Sequence, residues 1–417
     1  MLFKLPYKDT NVDIIYEKSE FIPIVSMQLV FTNAGHLANT KDGLALLSSK
    51  LLNEGTLSDG ATGFAKKLES SAIELNAHVG RETFVIEISA LKDQFDKAFG
   101  LLQELLKEPN YTKDTLEQIQ RQQLGYLAQK SSDYDYIASL NLREILFDGS
   151  ALARPYDGTP KSIKSIKLDD IKKFISKHLG YNNLIVVVGG DISKDKIQED
   201  INKLLPLLPK VPNQELPHIK VSDKKVTRYI SKDTDQAYIY FGAPFDYSYE
   251  AKDQYKAKIA EFVLGGSGFG SRLMEEIRVK RGLSYGAYCM LRETKEASYL
   301  SGYLQTKIAT QEEAKAIVQK VVDDFVAKGI TAKELQAAKD FLVGSEPLRV
   351  ESLSQRLHRA FNEVYYNRGL GYSKKQLQDI ENATLDEVNE FIKSHKELRD
   401  ISFSIVTSEK KKVEGSE

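Results

Sequence analysis

Two segments late in the chain repeat two segments from early in it, in the same order and at nearly the same distance. YTKDTLEQIQRQQLGYLAQ (Tyr111 to Gln129) opens a stretch with apolar residues at helical spacing, and ITAKELQAAKDFLVGS (Ile330 to Ser345) does the same. KLDDIKKFISKH (Lys167 to His178) leads into the apolar run LIVVVGG, and TLDEVNEFIKSH (Thr384 to His395) leads into ISFSIVTS. Leu116 then matches Leu335 and Phe174 matches Phe391, offsets of 219 and 217 residues (335 − 116 and 391 − 174). Two ordered pairs at almost one spacing predict a duplicated unit of about 200 residues, an ordinary domain size.

The join is expected where LPLLPKVPNQELPHIKV (Leu205 to Val221) places four prolines in an extended stretch. This gives a first domain over residues 1–205, a linker over 206–221, a second domain over 222–407 and a charged tail over 408–417. Within the units, Phe84, Ile86 and Ile88 alternate as on a strand, as do Tyr238 and Tyr240. Phe95, Ala98, Phe99, Leu102 and Leu105 follow helical spacing. Short alternating strands mixed with helices point to an α+β fold of two homologous domains, each a mostly antiparallel sheet with helices packed on one face.

Charge and cysteine content exclude several functions. With 58 basic and 59 acidic residues the net charge is −1, so no field favours nucleic acid or an anionic membrane. The single Cys289 cannot build a disulfide framework or a multi-cysteine cluster. The opening MLFKLPYKDTNV lacks the unbroken apolar core of a secretory signal, and no run approaches the roughly 18 apolar residues of a membrane helix. A cytoplasmic location is expected, or a periplasmic one for a processed form. The six histidines, His36, His78, His178, His218, His358 and His395, never fall four apart, so no paired-histidine zinc motif exists. Phe269 stands where the closing glycine of a hydrolase elbow around Ser267 is needed, and GGSGFG has neither dinucleotide nor Walker spacing.

GLALLSSKLLNEGT (Gly43 to Thr56) resembles the helix of the pitrilysin/insulinase family of zinc peptidases, which includes the mitochondrial processing peptidases and reads Gly-Leu-Ala-His-x-x-Glu-His-Met followed by Gly-Thr. ELNAHVGRETFVIEISAL (Glu74 to Leu91) is similar to the strand pair after that helix, and HLGYNNLIVVVGGDI (His178 to Ile192) to the final strand of the first domain. LGGSGFGSRLMEEIRVKRGLSYGAY (Leu264 to Tyr288) resembles the second-domain segment with a glycine cluster, Ser-Arg-Leu, an Arg and Gly-Leu-x-Tyr. Laid on the family frame, Leu46 takes the first histidine position, Ser49 the general base and Lys50 the second histidine. The third ligand should fall within Gln118 to Arg143, which contains no glutamate. Leucine cannot ligate and an ammonium repels a metal, so the degenerate metal-site positions Leu46, Ser49 and Lys50 bind none. Lys50 is expected to pair with Glu54, one turn on, or to reach solvent.

The second-domain pair survives. Arg278 and Tyr285 keep the seven-residue spacing at which the family places an Arg and a Tyr in its catalytic chamber, with Arg281 as the alternative cation in a neighbouring frame. A guanidinium and a phenol can hold a peptide and stabilise a developing oxyanion. The resemblance further implies that Gly265, Gly266, Ser271 and Arg272 bind substrate. It identifies the chain with the zinc-free subunits of the family, which close the chamber and bind unfolded peptide by strand addition to a sheet edge. The chain would then hold no cofactor, and zinc would sit in a homologous partner, a second copy of this chain being the alternative partner. The competing readings are a non-proteolytic structural or peptide-binding protein of the same descent, and a self-sufficient zinc peptidase.

Overall fold

The structure, a computed structural model, describes residues 1–408; all of the expected tail except Ser408 lies outside the described residues. Eleven strands form two sheets among the described residues. The first sheet contains β1 (Leu2–Tyr7), β2 (Thr10–Lys18), β3 (Ile24–Thr32), β4 (Glu74–Val79), β5 (Thr83–Leu91) and β6 (Leu184–Gly190), in the order β1-β2-β6-β3-β5-β4. The second contains β7 (Thr227–Ser231), β8 (Gln236–Pro244), β9 (Ala287–Glu293), β10 (Ser298–Lys307) and β11 (Ser402–Thr407), in the order β7-β11-β8-β10-β9. Apart from β1, the two orders correspond strand for strand. Each sheet has one parallel pair, β2 with β6 and β7 with β11, and is otherwise antiparallel.

The helices repeat as well. Lys113–Lys130 and Ala332–Gly344 begin 219 residues apart (332 − 113), and Leu168–His178 and Leu385–Ser394 begin 217 apart (385 − 168). Leu116, Leu335, Phe174 and Phe391, the residues that carried the repeat, are all buried. Alternation of apolar residues along the strands builds one main core per sheet. Ile14, Met27, Leu29, Phe31, Phe84 and Ile86 supply the first, and Ile239, Phe241, Leu291, Leu300 and Ile405 the second.

The compact units are not contiguous in sequence. One comprises residues 1–129, 154–216 and 349–365; the other comprises residues 130–153, 217–348 and 366 onward. Each sheet therefore carries, on the face away from its main core, a helix from the other half of the chain. Leu353–Tyr365 sets Leu353, Leu357 and Phe361 against Ile15, Val30 and Val187 of the first sheet. Tyr134–Leu146 lies against β8 and β11 of the second. The two exchanged helices are themselves related by the repeat, since both their first and last residues differ by 219 (353 − 134 and 365 − 146). Gly242 on β8 permits the close approach: a Cβ there would stand 2.7 Å from Leu146 Cδ1 and 2.8 Å from the Leu300 carbonyl oxygen.

Candidate functional site

In the first unit the helix Leu44–Leu52 begins at Gly43, whose φ of 84° is the left-handed conformation glycine adopts without strain. The Asn39 side chain accepts a hydrogen bond from the Ala45 amide at 2.7 Å and supports the first turn. Of the three positions facing the family's metal, Leu46 offers only methyl groups, and the buried Ser49 hydroxyl donates to the Leu46 carbonyl at 2.9 Å. The Lys50 ammonium crosses to the helix Lys113–Lys130 and donates to Gln123 Oε1 at 2.7 Å.

That geometry corrects the expected pairing with Glu54: Lys50 leans onto the neighbouring helix, not along its own. Burial pushes the Lys50 ammonium below its ordinary value, partly offset by Asp157. Burial also raises the Glu54 carboxyl. Gln123 is 0% exposed and donates through Nε2 to the Asp157 carbonyl at 2.9 Å, so both ends of its amide are satisfied. It lies inside the stretch where a third ligand was expected, and reading residue types alone did not single it out. An amide bound to an ammonium is what stands there. These residues do not fit a zinc ion, and no group of three or more His, Cys, Asp or Glu side chains among the described residues is placed to hold one.

In the second unit the glycine-rich segment packs beneath its own sheet edge. Gly265 lies against β9 so closely that a Cβ would meet Cys289 Sγ at 2.5 Å and the Cys289 amide nitrogen at 2.7 Å. Gly266 packs on Glu261, whose carboxylate accepts from the Leu291 amide of β9 at 2.8 Å. Ser271 is fully buried; it donates to the Gly268 carbonyl at 2.8 Å and caps the turn that follows by accepting from the Met274 amide. Arg272 grips Glu334 with two hydrogen bonds, 2.7 and 2.8 Å, and donates to the Gly329 carbonyl at 2.8 Å. Arg272 was expected to contact substrate; in the folded chain its guanidinium fork is bound to Glu334 and Gly329. Gly265, Gly266 and Ser271 likewise build the framework under the loop.

Arg278 and Tyr285 behave differently. Arg278 leaves the helical turn Glu275–Val279 with its guanidinium carbon 4.5 Å from the centre of the Phe269 ring and has no carboxylate partner among the described residues. Tyr285, between that turn and β9, is 92% exposed. Arg281 is held by Glu276 through its side chain and main-chain carbonyl, at 2.6 and 2.7 Å. Of the two arginines, Arg278 is the one without a carboxylate partner among the described residues. Phe269, 68% exposed and supporting it, was not foreseen; an aromatic inside a glycine run was the signal for it.

Each sheet edge near these elements is held by a side chain at one residue. Asn53 hydrogen-bonds the main chain of Ala77 on β4 in both directions, at 2.9 and 2.6 Å, as Glu261 holds Leu291 on β9. At the far end of β9, burial is the largest cause pushing the Glu293 carboxyl up to about 8; Arg368 and Lys258 pull it down, and Glu261 and Asp253 raise it further. The folded chain holds this proton where the unfolded chain, with its ordinary value near 4.5, releases it. The resulting stability is complete below the unfolded value and is lost as pH rises through about 8. Thermal melts of wild type should fall between pH 5 and pH 8.5, and Glu293→Gln should flatten that fall. An unchanged slope in the variant would remove Glu293 as its source.

Residues 13–159 match the family model described as insulinase (peptidase family M16), and residues 165–342 match that of the peptidase M16 inactive domain. A Helicobacter pylori protein named non-peptidase homolog YmxG is 44% identical over 96% of this chain and 93% of its own length. A Bacillus subtilis protein named uncharacterized zinc protease YmxG is 22% identical over 84% of this chain and 85% of its own. The crystal structure of a peptidase M16 inactive domain from Pseudomonas fluorescens shares the fold, with a TM-score of 0.89, 23% identity and 98% of each chain covered.

Proposed function

The chain belongs to the insulinase family of peptidases, M16, and we propose that within it this is a zinc-free subunit that closes a chamber and binds peptide for a homologous zinc-bearing partner. The observation that carries the reading is the contrast between its two units. Where the family's metal ligands fall, Leu46, Ser49 and Lys50 supply no ligand, and Lys50 is hydrogen-bonded to Gln123. Where the family places its substrate-facing pair, Arg278 and Tyr285 remain, Tyr285 exposed and Arg278 half-buried against the Phe269 ring with no carboxylate partner among the described residues. A pure scaffold has no need of that pair. The name of the Helicobacter relative, a non-peptidase homologue, agrees with a chain that does not cleave peptides by itself.

The division of work follows from the chemistry. The partner supplies the metal and the general base. Arg278 contributes a permanent positive charge, and Tyr285 a neutral donor, for the peptide and the oxyanion that develops on the scissile carbonyl. No described helix is long and apolar enough to cross a membrane. The test is reconstitution. This chain alone should leave an unstructured peptide intact, and its addition to a homologous chain with an intact His-x-x-Glu-His should raise hydrolysis. A partner equally active without it would leave the non-proteolytic binding protein as the better account.

A further inference from the structure

A groove of about 700 Å³ opens on the first sheet, on the face opposite its main core. One wall is Phe21 and Ile22, from the turn between β2 and β3, 95% and 53% exposed. The other is Leu353 and Leu357, from the helix Leu353–Tyr365. The floor is polar. Gln28 on β3 and Glu87 on β5 stand directly opposite each other in the strand register, and neither side chain has a hydrogen-bond or ion-pair partner among the described residues.

Its charge is one-sided. Arg356 also lines the groove, but it is bound to Glu17 at 2.6 Å and to the carbonyls of Val350 and Glu351 at 3.0 and 2.8 Å. His358 stands at the rim. That leaves Glu87 on the floor and Glu351 at the edge as uncompensated negative charge. An unpaired carboxylate between apolar walls suits a cation on an aliphatic stem, and the Gln28 amide can both donate to and accept from a peptide group. With the β4 edge held at Ala77 by Asn53, the part of the sheet face left uncovered beside the helix Leu353–Tyr365 is where an extended chain can lie in this unit.

We propose that this groove binds an extended peptide in which a Lys or Arg lies between apolar residues, the cation on Glu87 and its apolar neighbours against Phe21 and Leu353. The proposal rests on the peptide-binding reading above for its occupant, but the binding is a property of this chain without a partner.

Fluorescence anisotropy of the full chain with a short labelled unstructured peptide, carrying Arg between leucines, tests it. The same peptide with Glu or Leu in place of Arg runs beside it. The Arg peptide should bind at least about tenfold more tightly than the Glu peptide, and the preference should shrink at high salt. Glu87→Gln should weaken the Arg peptide about tenfold and leave the Leu peptide unchanged, while Phe21→Ser should weaken both. Gln28→Lys, which sets an ammonium beside Glu87, should abolish the preference for Arg by a second route. Circular dichroism and melting of each variant establish that it is folded. Equal affinity for Arg and Glu peptides, an unaltered Arg peptide affinity in Glu87→Gln, or no binding of any peptide overturns the proposal. A chain that activates a zinc-bearing partner yet binds none of these peptides loses the groove and keeps the subunit reading; one that binds the Arg peptide and activates no partner does the reverse.

Discussion

Arg278→Ala and Tyr285→Phe are each expected to lower turnover of the reconstituted pair by about a hundred- to a thousand-fold, the loss of about 2.7–4 kcal/mol that follows removal of an oxyanion donor. The geometry makes the measurement clean. Tyr285 is 92% exposed, so deleting its hydroxyl disturbs no packing. Among the described residues Arg278 has only the Phe269 ring to lose, a contact worth about 0.5–1 kcal/mol at an exposed site. Melting and partner association should stay near wild type while kcat falls. A rise in KM with kcat unchanged would assign the pair to uniform peptide binding, not to the transition state. Arg281→Ala, just beyond the same turn, serves as the control, because its guanidinium is already held by Glu276. If both variants match wild type while the partner still requires this chain, the pair is idle and the chain acts only as a wall.

The repeat, the two-sheet plan and the main cores were legible because each is written as local periodicity: alternation on Phe84, Ile86 and Ile88, and helical spacing around Leu116 and Phe174. The loss of the metal ligands was equally legible, since residue type alone decides whether Leu46 can ligate. What replaced them was not. Lys50 found Gln123, 73 positions away, and no local pattern distinguishes that glutamine from Gln120 or Gln122 on the same helix. Arg272 and Ser271 carry the residue types of a binding site, yet their partners are Glu334 and Gly268; type alone cannot tell a free donor from a committed one. The exchange of helices is likewise invisible to periodicity. Leu142 and Leu357 mark an apolar stripe on each helix, and a stripe does not say which sheet it covers.

The exchange leads to the second large effect. If the chain is produced as two pieces, 1–216 and 217–417, each piece keeps its sheet and loses the helix that covers the sheet's second face, while carrying a helix with no sheet to cover. The first piece loses the contacts of Leu353, Leu357, Phe361 and Val364 with Ile15, Val30 and Val187. At about 1.5–3 kcal/mol for each large side chain, discounted for partial burial, this approaches the whole 5–15 kcal/mol by which a domain is ordinarily stable. The second piece loses the helix Tyr134–Leu146 and the Phe147–Tyr299 ring contact, and exposes Gly242 and the Tyr240 hydroxyl now bonded to Asp135 at 3.2 Å. Each piece alone should therefore be insoluble or lack a cooperative melt, and production of both together should recover a complex with the wild-type circular dichroism and melting behaviour. A cut that merely severed a linker between self-sufficient halves would give two soluble, cooperatively melting fragments, which is the result that would refute a mutual dependence of the two sheets on exchanged helices. A milder version in the intact chain is Leu357→Ala, expected to cost about 2–5 kcal/mol in chemical denaturation and to lower the stability of the first sheet although residue 357 lies in the second half of the sequence.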